Sequence, residues 1–369
     1  MLRTHKRDVW AMGLVLSALP WAVGCERVSS SSTTAGTSEI ANAASTIDID
    51  GSSTTVLLTE AVAHEFRAID PDAAVSISVS GTGGGFKRFC VGETDISNAS
   101  RPIKASELEI AKQSGVEFIE LPVALDGISI AVHKNNTWVD SLTIEELRSI
   151  FRASNPARKW SEVREGWPNR PISMWAPGTS SGTFDYFQEV VFPDKANMRL
   201  ADISMSEDDH ILVRGIAGDL DSLGFVGFAY CEANKDRVRC VPIADGGPAV
   251  MPTAETIRDG TYRPLGRPLF IYVNTRSLDE PQVRRFVDYY LESAATLAEA
   301  VGYVSAPDRI YSLGRVMVQT PMTGTRWLDA NGEHIHASLA HVYPPDLEQE
   351  RIASSTCATA APTPEAPAP

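Results

Sequence analysis

The fold is decided by three turns of one kind: Gly51-Ser52-Ser53-Thr54, Ser80-Gly81-Thr82-Gly83-Gly84-Gly85 and Gly178-Thr179-Ser180-Ser181-Gly182-Thr183. Each turn follows a segment with the apolar pattern of a strand, at residues 47–50, 74–79 and 172–175. Each turn also precedes a segment with helical periodicity. Strand, glycine-rich turn and helix in this order predict a layered α/β fold.

The spacing of apolar residues places the other elements. The apolar residues after the first turn are Leu58, Val62, Phe66 and Ile69. Steps of four, four and three predict one buried face of a helix. After the second turn we expect the helix to begin at Phe86. Two later strand candidates lie at residues 224–228 and 269–273.

The three turns share a chemistry that suits anions. The first N–H groups of a helix have no partner within the helix, and the helix dipole is positive at that end. Serine and threonine hydroxyls add donors, although the same side chains also cap helices without binding a ligand. Three such turns in one chain favour one shared oxyanion site. Its expected ligands are Ser53, Thr54, Thr82, Gly83, Ser181, Gly182 and Thr183.

A fourth segment adds a cation to this set. Ser100 and Arg101 follow a short strand-like piece and precede Pro102. A guanidinium group can hold two oxygens of a tetrahedral anion at once. The alternative is a surface arginine paired with one of the 47 carboxylates of the chain. With the three turns beside it, the segment predicts Ser100 and Arg101 as further anion ligands.

The two ends of the chain predict export and a tether. Basic Arg3, Lys6 and Arg7 precede a short apolar run at residues 9–23, and small residues lead into Cys25. This pattern resembles a lipoprotein signal peptide over residues 1–25 with Cys25 as the lipid attachment site; a plain secretory signal is the alternative. Residues 26–46 are rich in serine and threonine and predict a flexible tether, and residues 351–369 predict a disordered Ala/Pro tail.

Composition excludes some partners. The formal net charge of −14 argues against nucleic acid, whose recognition rests on basic surface. No cysteine or histidine spacing indicates a zinc site, and we expect no metal and no cofactor. In an oxidising compartment Cys231 and Cys240 have the spacing to close a short loop as a disulfide; two free thiols are the alternative.

Four motifs together resemble a known family. They are Gly51-Ser-Ser-Thr-Thr-Val56, Ser80-Gly-Thr-Gly-Gly-Gly-Phe-Lys-Arg-Phe-Cys90, Glu93-Thr-Asp-Ile-Ser-Asn-Ala-Ser-Arg-Pro-Ile103 and Pro177-Gly-Thr-Ser-Ser-Gly-Thr-Phe-Asp-Tyr186. In order and spacing they are similar to the periplasmic phosphate-binding proteins of phosphate-specific ABC importers. The resemblance extends over residues 47–313.

The resemblance implies a fold and a function. The fold is a two-lobed clamp of the type II periplasmic-binding-protein kind, each lobe a mixed sheet flanked by helices, with lobe 1 at residues 47–128 plus 274–350 and lobe 2 at residues 129–273. Inorganic phosphate is expected between the lobes, held by Ser53, Thr54, Thr82, Gly83, Ser100 and Arg101 on one side and Ser181, Gly182 and Thr183 on the other. The implied role is delivery to the permease subunits of an ABC importer by a monomeric, membrane-anchored periplasmic protein without catalytic turnover.

The chain departs from the family pattern at several positions. Relatives often carry an aspartate near Asn98 or Ser100, where a carboxylate accepts the proton of hydrogen phosphate and repels sulfate. Both residues are neutral here, so a site for another tetrahedral oxyanion such as sulfate is an alternative, and Asp126 is a candidate replacement acceptor. Pro177 stands where some relatives have an anion-binding arginine. The segment at residues 320–343 also differs from the usual family ending.

Two other functions fit parts of the sequence. Gly178-Thr179-Ser180-Ser181-Gly182 matches the nucleophile elbow G-x-S-x-G, which would make Ser180 the nucleophile of a hydrolase. Downstream histidines that could partner it are His210, His334, His336 and His341. His334 and His336 would also share a strand face and could bind a metal, although isolated polar histidines are commoner. Neither reading gives a role to the other two turns or to Arg101.

Overall fold

The structure is a computed structural model of the chain, and it describes residues 46–192, 198–335 and 337–347. The strands are β1 (Ile47–Gly51), β2 (Val75–Ser78), β3 (Ile96–Ala99), β4 (Phe118–His133), β5 (Leu142–Thr143), β6 (Ser173–Pro177), β7 (Ile203–Ser206), β8 (Ser222–Gly227), β9 (Val238–Cys240), β10 (Ile243–Ala244) and β11 (Gly266–Asn274).

The helices are α1 (Val56–Ile69), α2 (Thr82–Phe89), α3 (Ala105–Gln113), α4 (Ile144–Phe151), α5 (Trp160–Val163), α6 (Gly182–Val191), α7 (Asp209–Ile216), α8 (Phe228–Ala233), α9 (Ala254–Arg258), α10 (Pro281–Ala300), α11 (Asp308–Gln319) and α12 (Leu339–Val342), with a 3-10 turn at Ser277–Asp279. None of the helices in the described ranges combines the length and the apolar character that a bilayer span requires.

The sheet has two parallel groups with an antiparallel pair between them. In the described part of the chain, nine strands form one sheet in the order β2-β1-β3-β11-β4-β8-β6-β7, with β9 paired to β4. β2, β1 and β3 run parallel, and so do β8, β6 and β7. β11 and β4 run antiparallel to their neighbours. Each half is therefore a mixed sheet with helices between its strands, which confirms the α/β prediction.

β4 connects the two halves. Residues 118–127 of this strand pair with β11, and residues 128–132 pair with β8. β11 itself pairs with β3, so residues 266–273 lie in the first half of the sheet. The predicted boundary at residue 273 places them in lobe 2, whereas β11 pairs with β3 and with residues 118–127 of β4. An apolar run shows that a strand is buried but does not show which sheet it joins.

α1 buries the predicted face except at its end. Leu58, Val62 and Phe66 are buried, and the ring of Phe66 meets that of Phe286 edge to face at 5.3 Å between centroids. Ile69 is 61% exposed, contrary to the expected pattern. It is the last residue of the helix, where the chain turns away from the core. Periodicity therefore predicted the helix correctly and its last buried residue wrongly.

α2 begins earlier than expected. The helix starts at Thr82 and not at Phe86, so the glycine run forms its first turn. A methyl group at Gly85 would lie 2.6 Å from the Cα of Gly51 in β1, and one at Gly84 would lie 2.5 Å from the Ser80 hydroxyl. The glycines therefore let the start of α2 approach β1 closely, and this close approach outweighs their poor helix propensity.

Cys231 and Cys240 are joined by a disulfide. Their spacing alone allowed either this bond or two free thiols. Cys90 is a buried free thiol whose pKa is raised to about 12, chiefly by burial. A thiol with this pKa stays protonated and unreactive at neutral pH. The predicted signal peptide with Cys25, the predicted tether up to residue 45, the predicted tail at residues 351–369 and His336 lie outside the described residues.

Candidate functional site

The turns that follow β1, β2, β3 and β6 meet at one small cavity of about 190 Å³. We call it the anion cavity. Of the predicted ligands it is lined by Ser53, Thr54, Thr82, Gly83, Ser100, Arg101 and Gly182. Because α1, α2 and α6 begin at or just after these turns, the cavity collects the N-terminal ends of three helices. The dipoles of these helices contribute a positive potential there.

The first and third turns touch each other across the cavity. A methyl group at Gly182 would collide with the Thr54 hydroxyl and lie 3.0 Å from that of Ser53. The Tyr303 hydroxyl donates to the Thr54 carbonyl at 2.7 Å and holds the first turn from behind. Only a residue without a side chain allows α6 to begin this close to the first turn.

The second turn and the segment after β3 are also linked. The hydroxyl oxygens of Thr82 and Ser100 lie 3.0 Å apart, and the Ser100 N–H donates to the Thr82 hydroxyl at 3.2 Å. Each hydroxyl is thereby positioned before a ligand arrives. The N–H groups of Thr82 and Gly83 belong to the first turn of α2, where backbone N–H groups have no acceptor within the helix.

Arg101 lines the cavity, but its charge is largely satisfied. Its two terminal nitrogens donate to the two carboxylate oxygens of Glu107 at 2.9 and 2.7 Å. The side chains of Arg101 and Glu107 are each only 15% exposed. The Arg101 guanidinium also lies over the Phe86 ring, 5.4 Å from its centroid. A bidentate pair of this kind leaves the arginine with little free charge for a ligand.

The main cation of the cavity is Arg267, which the sequence analysis missed. It lies at the start of β11, is 7% exposed and lines the cavity. Its Nη2 lies 2.9 Å from the Thr54 hydroxyl and 3.5 Å from the Gly182 carbonyl, so it meets both sides of the cavity. Its Nη1 donates to the Ser100 carbonyl at 3.2 Å, and its guanidinium stacks 3.6 Å from the Tyr186 centroid.

Asp126 supports Arg267 from behind. Its carboxylate lies 3.4 Å from Nη2 of Arg267 and is 5% exposed. Burial raises the pKa of Asp126, and the charge of Arg267 opposes that rise. Because Asp126 does not line the anion cavity, its position favours a role in holding Arg267 over the expected role as a proton acceptor.

Two other carboxylates do line the cavity. Asp185 and Glu189 both belong to α6, one turn apart, and neither was predicted. Burial raises the pKa of Asp185; Arg267 lowers it and Glu189 raises it further. The lining of the cavity therefore combines two carboxylates with hydroxyl, backbone N–H and guanidinium donors.

Not every predicted ligand reaches the cavity. Ser181 caps α6, since its hydroxyl accepts from the Thr183 N–H at 3.2 Å, and neither residue is among those that line the cavity. Asn98 is buried, does not line the cavity, and accepts from the Thr59 hydroxyl at 2.8 Å. Capping, the alternative reading of such turns, accounts for Ser181.

The hydrolase arrangement is absent from the described residues. Ser180 is exposed and its N–H donates to Glu207 at 3.3 Å. The His210 ring packs against Tyr230 and the His334 ring lies against the Ile103 carbonyl, so neither orients Ser180. Likewise, no group of three histidine, cysteine or acidic residues in the described ranges could hold a metal ion.

Comparison with known proteins identifies the family. Residues 29–294 match the model of a PBP superfamily domain. The chain belongs to the PBP superfamily. It is 44% identical to Protein SphX of Synechococcus elongatus over 76% of this chain and 83% of the relative. It is 36% identical to the phosphate-binding protein PstS of Staphylococcus haemolyticus over 71% of this chain and 81% of the relative. The resemblance inferred from the motifs is thereby confirmed.

Solved structures agree with this assignment. A possible phosphate binding protein from Planctomyces limnophilus matches with a TM-score of 0.71 and 39% identity, over 75% of this chain and 98% of that one. An ABC-type phosphate transport receptor from Vibrio cholerae matches with a TM-score of 0.57 and 23% identity, over 70% and 99%. The second match supports the fold alone, and both confirm the predicted binding-protein architecture.

Proposed function

We propose that this chain binds inorganic phosphate in the anion cavity and delivers it to an ABC importer, without catalytic turnover. The observation that carries the proposal is the convergence of three helix N-termini with Arg267. A tetrahedral anion needs donors from several directions, and this arrangement supplies backbone N–H groups, hydroxyls and one guanidinium. The phosphate-binding relatives support the choice of anion.

The ligands divide between the two halves of the sheet. Ser53, Thr54, Thr82, Gly83 and Ser100 follow strands of the first half, and Gly182 follows β6 of the second. Arg267 contacts residues of both sides. A bound anion would bridge the two sets of donors, so we expect it to stabilise the closed form of a two-lobed clamp.

Asp185 and Glu189 supply the basis for choosing phosphate over sulfate. Hydrogen phosphate can donate its proton to a carboxylate at the cavity, whereas fully ionised sulfate is repelled by one. With Asn98 and Ser100 neutral, these two residues are the acids that line the cavity. The alternative, an unselective oxyanion site, predicts equal binding of sulfate.

Calorimetric titration of the anion-stripped protein tests the function. We expect phosphate to bind and sulfate to bind at least about a hundredfold more weakly. Asp185→Asn should reduce this ratio of phosphate affinity to sulfate affinity. Acidification should also favour sulfate, because the raised pKa of Asp185 leads to its protonation. Arg285→Ala, which removes an exposed arginine paired with Asp70, serves as the control. Absence of heat with every oxyanion would contradict the proposal.

We also propose that the protein acts outside the cytoplasm as a lipid-anchored monomer. The supports are the N-terminal pattern ending in Cys25 and the role of its relatives. Cys25→Ala should release the protein from the membrane fraction while leaving phosphate binding intact. Retention of the variant in membranes would contradict the anchor without affecting the binding proposal.

A further inference from the structure

A second and larger cavity lies beside the anion cavity. Its volume is about 800 Å³, within the range of sites for small organic ligands. We call it the side cavity. Its walls come from α6, the β10 segment, the start of β11 and the C-terminal segment, and they include Tyr186, Ile243, Val250, Trp327 and Ile335.

The two cavities are neighbours along a shared wall. Residues that line both are Ser100, Arg101, Tyr186, Glu189 and Arg267. Arg267 and Tyr186 are held together by stacking, and the Tyr186 hydroxyl donates to the Pro264 carbonyl at 2.6 Å. A substituent on an anion held by Arg267 would therefore have the side cavity next to it.

The C-terminal segment builds one side of the side cavity in an ordered way. Trp327 is 3% exposed and packs edge to face on Phe270 at 5.6 Å between centroids. The Ile335 N–H donates to the Trp327 carbonyl at 2.8 Å, and the His334 Nε2 lies 3.1 Å from the Ile103 carbonyl oxygen. This wall is fixed by contacts to β11 and to the segment after β3.

The lining chemistry indicates what kind of substituent fits. Isoleucine, valine, proline and aromatic side chains supply an apolar surface. Arg101 and Arg267 also line the side cavity, but they pair with Glu107 and Asp126. The remaining charged lining residues are Lys104, Arg263, Asp245 and Glu189, two of each sign. Such a wall favours an uncharged, partly apolar group over a second phosphate or a carboxylate.

We propose that the cleft also accepts phosphate monoesters, with the phosphate group in the anion cavity and an uncharged, partly apolar organic group in the side cavity. This inference rests on the proposed function, since the same donors hold the phosphate group. It extends the ligand class from inorganic phosphate to mono-substituted phosphates. No bond is broken, and the ester is bound as a ligand.

Binding of phenyl phosphate and methyl phosphate to the full chain tests this inference. The two esters carry the same charge and differ in the group that would enter the side cavity. We expect both to compete with inorganic phosphate, and phenyl phosphate to bind at least about tenfold more tightly than methyl phosphate because it buries more apolar surface. Ala337→Phe, which adds a bulky ring to the lining of the side cavity, should reduce this preference and leave inorganic phosphate binding unchanged.

Three results would overturn the inference. Binding of phosphate but of neither ester would show that the side cavity takes no substituent, while leaving the proposed function intact. Simultaneous binding of phenyl phosphate and phosphate would place the ester at a separate site. An unchanged preference in both Ala337→Phe and Val250→Ala, which instead removes apolar surface from the lining, would place the phenyl group elsewhere. Failure of all three ligands to bind would instead contradict the proposed function.

Discussion

The segment after β3 and the start of β11 each bring one arginine to the anion cavity, and the two arginines differ in what surrounds them. Arg101 is held by a bidentate pair with Glu107, six residues away in the chain. Arg267 is more deeply buried, and its nearest carboxylate, Asp126, makes a single contact at 3.4 Å. Arg267 therefore retains more of its charge for a ligand, although Arg101 stands in the more conspicuous motif.

Loss of Arg267 should have the largest effect. Arg267→Ala is expected to reduce phosphate affinity at least a hundredfold, because it removes the cation that contacts both sides of the cavity. It should also lower the free energy of unfolding by about 3 kcal/mol, since Asp126 would be left buried and unpaired. Calorimetry and denaturant unfolding measure the two effects.

A double variant separates these two effects. Arg267→Met with Asp126→Asn removes both charges, so stability should largely recover while phosphate binding stays lost. Recovery of binding in the double variant would contradict the role given to Arg267.

Glu107 is the residue that distinguishes the two arginines. Arg101→Ala should weaken phosphate binding by less than about tenfold, because the charge it removes is already paired. Glu107→Gln should free Arg101 and strengthen phosphate binding severalfold. Titrations of both variants against the Arg285→Ala control measure the effect, and a larger loss from Arg101→Ala than from Arg267→Ala would reverse the comparison.

Asp126 should influence binding only through Arg267. Asp126→Asn keeps the shape and removes the charge, so we expect phosphate affinity to change by a few fold and the preference over sulfate to be retained. Asp185→Asn is the matched carboxylate variant that lines the cavity, and it should alter the preference instead. A loss of selectivity in Asp126→Asn would show that Asp126 reaches the anion.

The smallest expected effect is on the pH dependence of stability, and it comes from Asp209. Its pKa is raised to about 6, first by burial and then by Asp208, with a further contribution from Asp126. A folded-state pKa above the unfolded value means that its stabilising contribution is present at pH 4 and is lost as pH rises through 6. Asp209→Asn should therefore stabilise the protein by about 1 kcal/mol at pH 7.5 and not at pH 4. Thermal unfolding at both values measures this difference.

Much of the fold and part of the site could be predicted from local sequence. Glycine and hydroxyl residues at strand ends mark helix starts wherever the chain folds as α/β, so the three turns and their meeting place followed from order and spacing. In the structure Gly182 lies against Thr54, as a shared site requires. The start of α2 at Thr82, four residues before the expected Phe86, could not be predicted in this way, because Gly85 meets Gly51 of β1 only in the folded protein.

Arg267 could not be found in this way, because its partners are distant in the chain. Asp126 is 141 residues away and Thr54 is 213 residues away, so neither contact leaves a local pattern. A usable signal was an arginine at the edge of an apolar strand, since a buried cation requires partners. The pairing of Arg101 with Glu107 is local in the chain, and it forms where the segment after β3 turns into α3.

The most direct test of the central claim is a crystal structure of the protein grown with phosphate. We predict one tetrahedral anion in the anion cavity, with oxygens within hydrogen-bonding distance of Arg267, the Thr82 and Gly83 N–H groups and the Thr54 hydroxyl, and with Arg101 still paired to Glu107. An anion bound to Arg101 and away from Arg267, or bound elsewhere on the protein, would contradict the account.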